Sequence, residues 1–238
     1  MMEKNMLVLY GSPRERGFTK ELLKIFIQEW ENVYPNTNIY TFHAYQENMA
    51  PCTACGFCRQ KEGCSIPDYQ LFDTLYRNAD VVVVATPVYG LSFPAPLKAV
   101  FDRTQQYYEA YVSRHIKYPF EKPKKAFLLS VYGSNDKRGV EMMQQQLQLT
   151  FSVMNTKLIG TVSAGNTDCK PLNRNCKMKS NDYCLPIYRF YDMMCGDKFA
   201  GGKSLWQDIL NGIISKEKKK RRTEPKQKSL PKSAENWL

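Results

Sequence analysis

Short, nearly unbroken apolar runs alternate along the chain with longer segments in which apolar residues recur every three or four positions. Met6 to Tyr10 is of the first kind and predicts a short buried strand. Thr19 to Trp30 is of the second: Leu22, Leu23, Phe26, Ile27 and Trp30 fall on one face of a helix. Further strands are predicted at Asn38 to Phe42, Val81 to Ala85, Ala126 to Val131 and Lys157 to Ser163. Three more helical patterns separate them. One carries Leu71, Phe72, Leu75 and Tyr76, with Asp68 as its expected N-cap. A second begins near Pro96, where a missing N–H does no harm, and shows Leu97, Val100 and Phe101 at i, i+3 and i+4. The third runs from Arg138 to Met154.

Strands separated by helices need crossover connections, and crossovers make the strands parallel. Five strands and four crossovers therefore predict an α/β fold built on an open, doubly wound five-stranded parallel sheet. Ligands of such sheets sit outside the carboxyl ends of the strands, so the loops after strands one, three and four are the places to look. Beyond Gly165 the pattern weakens. Cys169, Cys176, Cys184 and Cys195 have irregular gaps and suggest ordinary thiols; only Tyr183 to Met194 and Ser204 to Ser215 suggest helices. The expected organisation is a sheet domain over 1–165 with a cysteine-rich loop over 51–66, a helical extension over 166–215 and a basic tail over 216–238.

Composition sharpens this outline. A chain of 238 residues, 43% of them hydrophobic, is long enough to bury one sizeable core. The apolar run behind the charged N-terminus stops at Gly11, short of a signal-peptide core or a membrane span, so the expected compartment is the reducing cytoplasm and the eight cysteines are expected free or metal-bound. The net charge of +11 is not evenly spread. From Lys216 to Leu238 nine Lys or Arg face three Glu, a net of +6, which leaves +5 for the remainder. A run such as Lys218 to Arg222, followed by Pro225 and Pro231, reads as a solvated, disordered tail. Its one aromatic, Trp237, lacks the repeated stacking partners of a single-strand binder, which argues against nucleic acid, and membrane contact through the tail is likewise not expected.

The first strand ends in Gly11-Ser12-Pro13-Arg14-Glu15-Arg16-Gly17-Phe18-Thr19, in outline an anion site. The free N–H groups of a helix start and the hydroxyls of Ser12 and Thr19 can point at one phosphate, Gly11 and Gly17 permit unusual backbone angles, and Arg14 can add a charge-assisted bond. The spacing is neither G-x-G-x-x-G nor G-x-x-x-x-G-K-[ST], so a monophosphate is favoured over a dinucleotide or ATP. The third strand ends in Thr86-Pro87-Val88-Tyr89-Gly90-Leu91-Ser92, where Pro87 stiffens the turn, Gly90 allows close backbone approach and Tyr89 offers an aromatic face to a flat ring.

Gly-Ser-Pro-Arg-x-x-Gly-x-Thr paired with Thr-Pro-Val-Tyr, then Lys98 and Asp102-Arg103, resembles the NADPH-dependent FMN reductase family of flavodoxin-like proteins, over roughly residues 5 to 164. The resemblance implies FMN, with its phosphate at Ser12, Arg14, Gly17, Phe18 and Thr19. It places the isoalloxazine against Pro87, Val88, Tyr89 and Gly90 and against the Gly133 and Ser134 loop. It also implies a homodimer or homotetramer. Phe18 stands where the family prefers a small polar residue, so a phosphate contact there must come from the backbone.

Cys52, Cys55, Cys58 and Cys64 lie within thirteen residues. Two consecutive C-x2-C steps wrap a short loop around one point, which suits thiolate ligation of three irons of a [4Fe-4S] cube, with Cys64 as the fourth ligand. Structural zinc sites usually draw pairs from separate knuckles. The spacing resembles the compact motif of the iron-sulfur flavoproteins, a branch of the same family, and so implies a cluster exchanging electrons with the flavin. Free thiols and an oxidisable thiol pair stand beside that reading.

An FMN-dependent oxidoreductase is therefore expected, with the flavin doing the chemistry. Its donor is NAD(P)H or, if a cluster is present, a one-electron protein such as ferredoxin. A cluster-less NAD(P)H-dependent FMN or quinone reductase is the rival, and a flavin-sensing protein that binds through its tail a more distant one. His43 and His115, the only histidines, read as structural or surface residues rather than catalysts.

Overall fold

The computed structural model describes residues 3–117 and 119–169. The predicted helices at 183–194 and 204–215, Cys176, Cys184 and Cys195, and the basic tail lie outside these residues. The order of elements is β1 (Lys4–Tyr10), α1 (Phe18–Val33), β2 (Thr37–His43), α2 (Ala44–Glu47), α3 (Phe57–Gln60), α4 (Gln70–Asn78), β3 (Val81–Pro87), α5 (Ala95–Asp102), α6 (Gln105–Val112), β4 (Lys124–Val131), α7 (Arg138–Ser152) and β5 (Thr156–Ala164). All five strands are parallel, in the order β2-β1-β3-β4-β5, the flavodoxin-like arrangement. Within the described residues, the five predicted strands and the four predicted helices are present, most of them a few residues longer than the apolar pattern alone.

Position in the sheet explains the patterns. β3 lies second from neither edge and its first six residues are buried, which is why Val81 to Ala85 reads as a continuous apolar run. β2, at an edge, leaves Tyr40 and Thr41 exposed. On one face, Leu7, Leu9, Val82, Val84, Ala126 and Leu128 meet Phe72 and Tyr76 of α4, Leu97 and Val100 of α5, and Val140, Met143 and Leu147 of α7. On the other, Phe26 and Trp30 of α1 pack against Phe127, with ring centroids 5.3 and 6.1 Å apart. Between β4 and β5 the register slips: Ala126 pairs with Leu158 and Phe127 with Gly160, which leaves Ile159 as the extra residue of a bulge.

Asp68 does not cap α4. No side chain caps that helix, whose first residues follow directly from a 3₁₀ turn at Pro67–Tyr69. The Asp68 carboxylate is drawn away by stronger partners, the Ala50 N–H at 2.8 Å and the Arg103 guanidinium at 2.8 Å. The far end of α4 is satisfied instead by Lys124, which is buried and donates to the carbonyls of Arg77 and Ala79 at 3.1 and 2.9 Å.

Burial, reinforced by the nearby Lys122 charge, lowers the Lys124 ammonium to about 8. A lysine whose folded pKa lies below its unfolded value opposes folding while protonated, and this opposition is relieved as pH rises from about 8 towards 10.5. Urea unfolding across that window should therefore show a stability gain from this residue, with a slope approaching about 1.4 kcal/mol per pH unit, that is missing in Lys124→Met. Parallel curves for the two proteins would contradict the assignment.

Candidate functional site

Adjacent strands in register deliver three loops to one edge of the sheet. Tyr10 lies beside Ala85 and Pro87 beside Val131, so the chain leaves β1, β3 and β4 at neighbouring points. The first loop is bonded to itself and to its neighbour. Gly11 N–H donates to the Ala85 carbonyl at 2.9 Å, the Tyr10 hydroxyl donates to the Arg14 carbonyl at 3.0 Å, and the Ser12 hydroxyl oxygen accepts from Arg14 N–H at 3.3 Å. Ser12 and Thr19 are buried while Arg14 is exposed. Gly17 is the N-cap of α1 and no side chain caps the helix. Its carbonyl accepts from Lys20 and Glu21, so the N–H groups of Phe18 and Thr19 are the first of the helix and have no intrahelical acceptor. The Phe18 ring is buried, so this residue offers the loop only its backbone. Sixteen aligned peptide units behind these groups add a partial positive charge. The backbone at Gly17 is extended (φ 175°), so any residue could adopt it there; the positive-φ role expected of this glycine is absent.

Gly11 has a packing reason. A Cβ there would lie 2.5 Å from Leu97 Cδ2 and 3.1 Å from Thr86 Oγ1. Leu97 is fully buried and has little room to withdraw.

The second loop turns tightly. Tyr89 and Ser92 exchange backbone hydrogen bonds at 2.9 and 3.0 Å around Gly90 (φ 54°) and Leu91 (φ 61°), both left-handed, as in a type I′ turn. Gly90 is thus required by turn geometry, and the space beside it is open. Val88 N–H donates to the Val131 carbonyl at 2.8 Å, and the Tyr89 ring is 45% exposed, free to meet a ligand. α7 approaches closely at Gly139, where a Cβ would fall 2.4 Å from Val88 Cγ1. The third loop is covered from below β5: Asn166 N–H bonds the Ser134 carbonyl and Thr167 N–H the Tyr132 carbonyl, and the Asp168 carboxylate lies where a Gly133 Cβ would be.

Cys52, Cys55, Cys58 and Cys64 all line one cavity of about 280 Å³. Ala54 (φ 53°), Gly56 (φ 76°) and Gly63 (φ 85°) supply the left-handed turns that bend the chain back on itself between the thiols. α3, a single turn, is tied to α6 by the ion pair of Arg59 with Glu109 at 3.3 Å. The Glu109 carboxyl is held below its usual range, chiefly by the Ser113 hydroxyl and also by Gln105 and Arg59. The Cys55 thiol lies 3.1 Å from the Ser65 hydroxyl, which with the Phe57 N–H holds it below its ordinary value; burial, then the Glu109 charge, pushes Cys58 up. Arg103 and Gln106 complete the wall. Among the described residues no three His, Cys, Asp or Glu side chains converge on the space of one metal ion. The cavity is larger than one ion needs, and its four thiols are gathered within one loop, with the Asp102 and Glu109 carboxylates also in its wall. A compact thiolate-ligated cluster is the group these features fit.

A second cavity, about 470 Å³, shares only Gln106 with the first. In it Arg77 pairs with Asp73 and the Tyr107 hydroxyl donates to Asp73, while Arg114 Nε is buried without a hydrogen-bond partner. His43 pairs in register with Tyr10 at the end of β1 and stacks on its ring at a tilt, 4.9 Å between centroids, and His115 sits in an exposed left-handed turn. The sequence alone did not mark Arg103, Asp68 or Glu109 for the cysteine loop: the residues they bind lie 18 to 53 positions away, and each looks locally like an ordinary charge near a helix end.

The sheet order defines a flavodoxin-like α/β protein. Residues 5–168 match the NADPH-dependent FMN reductase family, and the chain belongs to it. An iron-sulfur flavoprotein of Methanosarcina thermophila is 49% identical over 97 residues, 40% of this chain and 49% of the relative. One of Archaeoglobus fulgidus is 30% identical over 147 residues, 61% of this chain and 69% of the relative. The chain thus spans about half the length of the first relative. Among solved structures, an NAD(P)H:quinone oxidoreductase of Methanothermobacter marburgensis shares the fold, with a TM-score of 0.54 and 18% identity over 74% of this chain and 89% of that one. No helix of the described residues is long and apolar enough to cross a membrane.

Replacing Gly11 by alanine should force Leu97 to move and cost about 1–3 kcal/mol in urea unfolding. A variant as stable as the parent would show that the first loop is not packed against α5.

Proposed function

We propose that this chain is an FMN-dependent oxidoreductase in which electrons pass between a [4Fe-4S] cluster and FMN. Family membership supports the flavin, and the observation that carries its position is the helix start of α1, which no side chain caps. The Phe18 and Thr19 N–H groups and the Ser12 and Thr19 hydroxyls bind the phosphate, Arg14 reaches it from the exposed side, and Gly17 keeps the approach free of a side chain. Pro87, Val88, Tyr89 and Gly90 flank the ring, and Gly133 and Ser134 bound its other edge. Bound there, the flavin supplies one- or two-electron redox chemistry and the cluster single electrons. The protein's part is to bind, orient and shield. Cys52, Cys55, Cys58 and Cys64 hold the cluster, a reading supported by their common cavity and by the relatives named iron-sulfur flavoprotein. A ferredoxin-like protein or NAD(P)H is the donor, and the exposed Tyr108, Tyr111 and Val112 of α6 suit a homodimer or homotetramer contact.

The second reading is the cluster-less NAD(P)H-dependent FMN or quinone reductase, supported by a relative named FMN-dependent NADH:quinone oxidoreductase that is 30% identical over 103 residues. Protein purified without oxygen separates the two readings through its spectrum and its iron and acid-labile sulfide content. Flavin bands over a broad charge-transfer shoulder, with iron and sulfide near four per chain, are expected. Cys55→Ser should lose the shoulder and keep the flavin. Flavin bands alone, with steady NADPH turnover in protein devoid of iron, would establish the cluster-less reductase.

A further inference from the structure

The two stems of the cysteine loop are far apart in sequence from the residue that joins them. Arg103 follows α5, and its side chain is fully buried. Nη1 donates to the Ala50 carbonyl at 2.9 Å, just before Cys52, and Nη2 donates to the Ile66 carbonyl at 2.8 Å, just after Cys64. Asp68 closes the ring. One of its oxygens meets Arg103 Nη1 at 2.8 Å and the other accepts the Ala50 N–H at 2.8 Å. The guanidinium also lies 5.3 Å from the centre of the Tyr69 ring, which shields it on one side. The planar fork of arginine can serve two carbonyls and a carboxylate at once, which a lysine ammonium on its flexible stem reproduces poorly. Arg103 Nε is left over, buried and without a protein partner, on a side chain that lines the thiol cavity.

We infer that Arg103, braced by Asp68, is the positioning residue of the cysteine loop: it pins both stems so that the four thiols share one cavity. The inference deepens the cluster reading, yet the clamp itself is a property of the protein without metal. A buried cation is costly unless its bonds are made, so a site that needed only to close a loop would be served by apolar packing. The placement of this one, with two stem carbonyls and a carboxylate on its fork, matches a loop that must present thiolates in one arrangement.

The test uses the full-length chain, prepared iron-free and compared as wild type, Arg103→Lys, Arg103→Met and Asp68→Asn. Hydrogen exchange of the 50–66 segment and the rate at which a disulfide reagent labels Cys52, Cys55, Cys58 and Cys64 are read together. In wild type the Ala50 amide is expected to be protected to within about tenfold of the β3 amides. In each variant that retains sheet protection, exchange in 50–66 and labelling of Cys58 and Cys64 should rise by about tenfold or more, while the strands are unchanged. Arg103→Lys should fall between wild type and Arg103→Met. An unprotected Ala50 amide in wild type, or variants with wild-type loop exchange, would overturn the clamp; the first of these outcomes is readable even if every variant fails to fold. Anaerobic reconstitution with iron and sulfide is run in parallel. Wild type that takes up no iron would defeat the cluster reading and leave the clamp result standing, whereas Arg103→Met that loads iron as fully and as fast as wild type would remove the clamp's connection to the cluster.

Discussion

The first turn of α1 begins with backbone N–H groups that have no intrahelical acceptor and no side-chain cap among the described residues, and the site is arranged around that incomplete end. A helix of sixteen residues concentrates partial positive charge there, with two buried hydroxyls beside it. The parallel order of the sheet makes this end useful, because β1 sits between β2 and β3 and releases its chain next to the loops of β3 and β4. Had another strand lain between β1 and β3, the phosphate loop and the Tyr89 turn would have been separated by it. Gly11 matters for the same reason: with no side chain, it lets Leu97 of α5 and Thr86 at the end of β3 close up beneath the loop.

The cysteine loop follows a different logic. It belongs to no strand end and is held from behind by α5 and α6, through the buried Arg103 fork and the Arg59–Glu109 pair. Its geometry comes from left-handed residues at Ala54, Gly56 and Gly63, and its attachment comes from charged groups whose partners are remote in sequence. The phosphate loop is local, built by consecutive residues; the thiol loop is assembled by tertiary contacts. A chain carrying both can vary the second without disturbing the first.

That difference also decides what could be read from residues alone. The strands were legible because β3 and β4 are buried on both faces, which leaves continuous apolar runs, and α1 and α7 because one face alone is buried. The phosphate loop was legible because its parts are consecutive, although Gly17 proves extended rather than left-handed. The cysteine spacing was visible, and its support was not. Asp68 looked like a cap because it precedes an amphipathic helix, and only the fold brings Arg103 to compete for it. α6 was missed since its apolar and polar residues, with buried Gln106 and Glu109 and exposed Tyr108 and Tyr111, do not sort by face as a surface helix should.

The most direct measurement of the phosphate anchor is a pair of calorimetric titrations of the flavin-free protein, one with FMN and one with riboflavin, which differ by the phosphate group alone. FMN is predicted to bind at least about a hundredfold more tightly, the worth of two or more charge-assisted hydrogen bonds, with the advantage shrinking when Ser12 and Thr19 are both replaced by alanine. Equal affinities for the two ligands, or no heat with either, would contradict the placement of a phosphate at the start of α1.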